Sequence, residues 1–238
     1  MLTENPSAPV HSSQSGTHPR LAEQVVRHLR TNWRPLSQDH TREAFAATEA
    51  LIDDSATAQI LDSGCGTGRS TRLIAARYPD SLVIGIDKSA ARLTRAFPGP
   101  LPHREGNIIW VRAELAGFWH LAVRAGWRLQ AHYILYPNPW PKPGQLQRRW
   151  HAHPVFPDML GLGGTLEMRT NWKIYAEEFA LAIELASGCT PLIRAVTETG
   201  ITTAFERKYR ASGHELFSVT TPDSTGVPVN PRPSHPAE

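Results

Sequence analysis

The spacing of apolar residues changes character along the chain. Over Leu21–Arg30 and Arg42–Ile52 they recur three and four apart, which predicts two amphipathic helices interrupted at Trp33-Arg34-Pro35. From Gln59 onward, short continuous apolar runs take over: QILDSG, LVIGID (from Leu82), IIWVRA (from Ile108), HYILYP (from His132) and GTLEMRT (from Gly164), the last after a turn at Gly161, Gly163 and Gly164. Such runs, bounded by turn residues, predict strands buried on both faces. Helical spacing returns between them at Ser70–Arg77, Ala90–Ala96, Leu115–Ala125 and Ile174–Ser187. LIRAVTE (from Leu192) and HELFSVT (from His214) read as closing strands, with no clear helix between them. Alternating strand and helix predicts an α/β fold, a doubly wound and mostly parallel sheet that takes ligands beyond the carboxyl ends of its strands.

Composition adds boundaries. The chain has 238 residues, a length suited to one large domain. Residues 1 to about 19 and the tail from Pro222 are rich in Ser, Pro, Thr and His, so disorder is expected there, with the domain over 20–221 and the leading helices over 20–56. A net charge of +3 permits a polyanion partner without requiring one. The first residues carry no cationic start followed by an apolar stretch, and no apolar run approaches the roughly 20 residues of a membrane span. A cytoplasmic protein with no membrane partner is the expectation. Cys65 and Cys189 each stand alone, which points away from a disulfide framework and from a metal cluster.

The first strand runs into LDSGCGTGRS, with Asp62 followed by Gly64, Gly66 and Gly68. This spacing departs from the dinucleotide fingerprint G-x-G-x-x-G, and the loop lacks the lysine of a phosphate-cradling P-loop. It resembles the acidic-x-G-x-G-x-G loop of S-adenosylmethionine-dependent methyltransferases, whose class I members have a Rossmann-like fold. That resemblance makes S-adenosylmethionine the expected cofactor, with Asp62 near its ammonium. The second strand ends at Asp87, where a carboxylate can accept from both hydroxyls of a ribose. The third ends at Glu114, near an adenine amino group or, equally, at a helix cap. Gly64, Cys65, Gly66, Thr67, Gly68 and Lys88 join the expected cofactor-contacting set, which Asn138 at the end of the fourth strand completes.

The fourth strand ends in Tyr136-Pro137-Asn138-Pro139-Trp140, followed by Lys142 and the pair Arg148-Arg149. Thr170-Asn171-Trp172 follows the fifth strand, and Thr203-Ala204-Phe205-Glu206 comes later. In this order the segments resemble the bacterial transfer-RNA (guanine-7)-methyltransferase family over roughly Gln59 to Val219. The family has aspartate where this chain has Asn138 and Asn171. The resemblance implies a tRNA partner, with Asn138 between cofactor and base as the catalytic position. It also implies that Lys142, Asn171, Thr203, Phe205 and Glu206 touch the substrate. By their own chemistry, Trp140 offers a face to stack on a base, and Arg148 and Arg149, in a basic segment after the strand, offer a grip on phosphates. Other readings stay open. Asn-Pro-Trp-Pro approximates the Asn-Pro-Pro-aromatic motif of methyltransferases acting on exocyclic amino groups, and the acceptor of a methyltransferase can be a small molecule. A cofactor-binding homologue without activity is the third. The prolines and Trp140 can also serve packing alone, and the basic segment, with His151 and His153 as structural or exposed residues, can be a solvated loop.

Overall fold

The computed structural model describes residues 6–35, 39–52, 57–196 and 200–222. The strands are β1 (Gln59–Ser63), β2 (Leu82–Asp87), β3 (His103–Glu105), β4 (Ile108–Arg112), β5 (Leu129–Leu135), β6 (Thr165–Thr170), β7 (Leu192–Ala195) and β8 (Phe217–Thr220). The helices are α1 (Leu21–Arg30), α2 (Asp39–Glu49), α3 (Arg69–Arg77), α4 (Ala90–Ala96), α5 (Leu115–Arg124), α6 (Phe156–Gly161), α7 (Lys173–Ser187) and α8 (Ala204–Ala211). The strands form one sheet in the order β3-β4-β2-β1-β5-β6-β8-β7. The pairings of β1 with β2 and β5, of β2 with β4, and of β5 with β6 are parallel. The remaining three, β3 with β4 and β8 with both β6 and β7, are antiparallel.

Every residue of β1 and β2 is buried, as the continuous apolar runs require of strands covered on both sides. Alternate residues feed two cores. Leu61, Ile84, Val111, Ile134 and Met168 face one core, shared with apolar residues of α1, α2, α5, α6 and α7. Ile60, Val83, Trp110, Ala131 and Tyr133 face the other, against Ile74 and Ala75 of α3 and Leu93 and Ala96 of α4. The leading helices are part of the first layer: α1 packs on α7, and α2 on α5.

Several expectations need correction. A helix, α8, lies between the last two strands, started by Thr203, whose Oγ1 accepts from Glu206 N at 2.9 Å. A short antiparallel strand, β3, edges the sheet beside β4. The basic segment after Trp140 is two 3₁₀ turns, Pro143–Arg148 and Trp150–Ala152, leading into α6. The fourth strand starts at Leu129, three residues ahead of His132, and the last at Phe217 rather than His214. Residues 6–19, expected to be disordered, form no helix or strand. They lie against the domain because their polar side chains find partners there, including Ser12 Oγ to the Pro141 carbonyl at 2.5 Å. Thr197 and Glu198 of the expected strand LIRAVTE, residues 1–5 and the tail from 223 lie outside the described residues.

Candidate active site

The first half of the site is the turn between β1 and α3. Gly64 N and Cys65 N both donate to the Ile86 carbonyl of β2, at 2.8 and 3.0 Å, which folds the loop back over the strand ends. Gly68 has φ +77, and a Cβ there would sit 2.6 Å from the Trp110 ring and 2.7 Å from Ala96 Cβ. This glycine is required by packing. At Gly64 and Gly66 an added Cβ would meet nothing within 4 Å. Bare backbone therefore faces open space, as a closely approaching ligand needs.

Three carboxylates surround that loop. Asp62 is buried, and its Oδ2 accepts from Ser70 Oγ at 2.7 Å and Thr71 Oγ1 at 2.6 Å. Burial pushes its carboxyl up to about 6, against the pull of the Thr71 and Ser70 hydrogen bonds and with a push from the Asp87 charge. Asp87 accepts from Gly66 N at 3.0 Å and Ser89 N at 2.8 Å, so it fixes the loop while keeping lone pairs free. Glu114 occupies the N-cap position of α5, but its side chain makes no cap hydrogen bond. Its half-exposed carboxylate pairs with Lys88 Nζ at 3.8 Å, which removes the capping reading. Cys65 is buried, and burial pushes its thiol up, so it is a packing residue rather than a nucleophile. Thr67 is exposed on the loop.

The second half is the end of β5. Tyr136 (φ 56) and Trp140 (φ 45) are the two non-glycine residues with positive φ among those described. A non-glycine residue in the left-handed region stores of order 1 kcal/mol or more. The pair brackets Pro137-Asn138-Pro139 and turns Asn138 outward, exposed, with its Oδ1 accepting from Trp140 N at 3.3 Å. The Arg148 guanidinium lies 4.7 Å from the Trp140 ring centroid, a cation–π contact at the surface. Lys142 is exposed beside it.

Arg149 is not a surface phosphate grip. It is fully buried, and it donates through Nε to the Trp140 carbonyl (3.2 Å) and through its other nitrogens to Glu178 Oε2 (2.5 Å) and Gln14 Oε1 (3.0 Å). Glu178 also accepts from His151 Nε2 at 2.9 Å. Burial alone would raise the Glu178 carboxyl, but His151 and Arg149 outweigh it and hold the group at about 2. Burial keeps His151 below its ordinary value, so the cluster is an Arg149–Glu178 ion pair completed by a neutral imidazole. Sequence reasoning missed Glu178. Its signal was a charged residue on the otherwise apolar buried stripe of α7, among Tyr175, Phe179 and Ala182.

The late segment also divides. Glu206, expected to accept from the substrate, is fully buried and paired with Arg169 Nη1 at 2.9 Å and Arg210 Nη2 at 3.1 Å. Thr203 is the buried cap of α8. The two arginines compensate the inward Glu206 carboxylate, which without them would be an unpaired buried charge. Phe205 is 44% exposed and stacks on Tyr209, which in turn stacks on His214. Asn171 Nδ2 lies 3.0 Å from His214 Nδ1, beside a pocket of about 360 Å³ that Lys173 and Phe217 also line.

A doubly wound sheet with a reversed strand beyond the sixth, and a glycine loop between carboxylates at three strand ends, defines a class I, Rossmann-like S-adenosylmethionine-dependent methyltransferase. Residues 56–219 match the protein family described as "Putative methyltransferase", and the chain belongs to that family. It is 26% identical over 209 residues to the tRNA (guanine-N(7)-)-methyltransferase of Ectopseudomonas mendocina, covering 84% of this chain and 86% of the relative. The enzyme of the same name from Leifsonia xyli subsp. xyli is 25% identical over 175 residues, 67% of this chain and 73% of that one. A trans-aconitate 2-methyltransferase of Deinococcus radiodurans is 36% identical over 96 residues, only 37% of this chain and 36% of its own. The cofactor is S-adenosylmethionine, and the open backbone at Gly64 and Gly66 beside the buried Asp62 carboxyl fits its ammonium end. Among the described residues, no helix is long and apolar enough to cross a membrane, and no group of three His, Cys, Asp or Glu is placed to hold a metal ion.

Proposed function

We propose that this methyltransferase acts on tRNA and transfers the methyl group to N7 of a guanine. The observation that carries the reading is Asn138, held out at the end of β5 between two left-handed residues and beside the Trp140–Arg148 stack. Relatives of that activity aligned over 84% and 67% of the chain support it.

S-adenosylmethionine supplies an electrophilic methyl on sulfonium. On the protein side, Asp62 holds the ammonium end, Asp87 accepts from the ribose hydroxyls, and Glu114 meets the adenine amino group. Guanine N7 carries its own lone pair in the ring plane, so the acceptor side needs alignment and exclusion of water more than a proton acceptor. Asn138 supplies placement, Trp140 a stacking face, and Arg148 and Lys142 a salt-sensitive hold on the backbone. With Glu206 locked in ion pairs, the open acceptor for the guanine edge is Asn171 Oδ1, left free when Nδ2 donates to His214.

The test is nucleoside mass spectrometry of unmodified tRNA after reaction, with wild type and Asn138→Asp in parallel. The expected product is 7-methylguanosine from both. A nucleoside methylated on its amino group, or methylation confined to Asn138→Asp, would overturn the assignment.

A further inference from the structure

The segment before α1 carries a pattern that its polar composition hides. From Val10 to His18 its even-numbered residues are partly buried and its odd-numbered ones exposed. That is the two-residue period of an extended chain laid with one edge on a surface. The inward side chains end on the acceptor half of the site. Val10 packs against the core, and Ser12 Oγ donates to the Pro141 carbonyl, one residue past Trp140. Gln14 is saturated: its Oε1 accepts from Arg149 Nη2, and its Nε2 donates to Glu178 Oε1 at 2.5 Å and the Gly16 carbonyl at 2.6 Å. His18 N donates to the same Glu178 oxygen at 2.8 Å. At the other end, Ser7 N donates to Ser212 Oγ at 2.8 Å and the Ser7 carbonyl lies 2.9 Å from His214 Nε2, whose ring partner is Asn171.

Both asparagine positions of the acceptor site therefore trace back to this segment. Asn138 is tied to Trp140 N, the Trp140 carbonyl is held by Arg149, and Arg149 is oriented by Gln14. Asn171 is tied to His214, and His214 to Ser7. We propose that residues 7–18 form a strap that positions the acceptor-binding elements, with Gln14 as its principal positioning residue through Arg149 and the left-handed turn at Trp140. The acceptor's identity as tRNA rests on the reading above; the strap itself does not.

Gln14→Ala in the full chain tests it, with Ser13→Ala and Ser15→Ala, which alter outward-facing residues, as controls. Hydrogen–deuterium exchange is followed over 137–150 and, as a reference, over α3 and β2. Methyl transfer to unmodified tRNA is followed as separate KM values for tRNA and for S-adenosylmethionine. The expected result is faster exchange confined to 137–150 in Gln14→Ala and a KM for tRNA raised about tenfold, as loss of the hydrogen bond that orients Arg149 allows. The cofactor KM and both serine variants stay at wild-type values. Unchanged exchange over 137–150 would overturn the proposal. So would equal acceleration across α3 and β2, or a cofactor KM that rises as much as that for tRNA, since either makes Gln14 a global stabiliser. If wild type transfers nothing to tRNA, the RNA reading fails while the exchange measurement still decides the strap.

Discussion

Replacing Glu178 with Gln gives the most quantitative check on the buried cluster. The side chain is fully buried and accepts from Arg149, His151, Gln14 and His18 N. A carboxyl held at about 2 instead of its ordinary 4.5 contributes about 3 kcal/mol at neutral pH. Loss of one partner of a buried pair costs about 3–5 kcal/mol, and the two estimates agree. At about 2–4 °C per kcal/mol for a domain of this size, Tm should fall by about 6–12 °C. The pH dependence has a definite sign. A depressed carboxyl stabilises the fold above its ordinary value, and that contribution is lost as pH falls from about 4.5 towards 2. Urea unfolding of wild type and Glu178→Gln at several pH values should show a constant gap from pH 8 to about 5 that narrows below 4.5. A variant as stable as wild type at pH 7, or a gap that widens in acid, would refute the assignment of an ionised Glu178 beside a neutral His151.

Asp62, raised by burial to about 6, carries the opposite sign: its ionisation costs stability as pH rises from 3.8 to about 6, while cofactor binding tightens over the same range. Asp62→Asn should flatten both curves, measured by unfolding and by cofactor titration. Gly68→Ala should destabilise by roughly 2–5 kcal/mol, because a left-handed alanine would also press on Trp110. Gly66→Ala should cost roughly 1–2 kcal/mol of stability, for backbone strain alone, but lower cofactor affinity sharply; thermal unfolding and titration separate the two. Trp140→Ala should weaken tRNA binding by about 1–3 kcal/mol without changing its salt dependence, whereas Arg148→Ala should reduce the salt slope.

The parallel half of the sheet and the glycine loop were legible because both are local. Continuous apolar runs mark doubly buried strands, and acids at their ends fall at the carboxyl edge by periodicity alone. What escaped depends on which way a side chain turns. Arg148 and Arg149 are adjacent and chemically identical, yet a 3₁₀ turn puts one over Trp140 in solvent and the other in the core. Helix α8 sets only Phe205 and Tyr209 among four charged residues, so its hydropathy signal is weak; the Thr203-x-x-Glu206 pair was a cap signature instead. Strand β3 has three residues and needs β4 beside it to exist. Beyond Val10 the strap carries no apolar edge, so its alternation is visible only through its distant partners.

Acceptor class is the central claim, and one competition measures it. Purified enzyme and labelled S-adenosylmethionine are offered unmodified total tRNA and trans-aconitate together, the acceptors named by the two kinds of relative. The account predicts label in tRNA as 7-methylguanosine and none in the small acid. Label in trans-aconitate with tRNA left unmodified would contradict it.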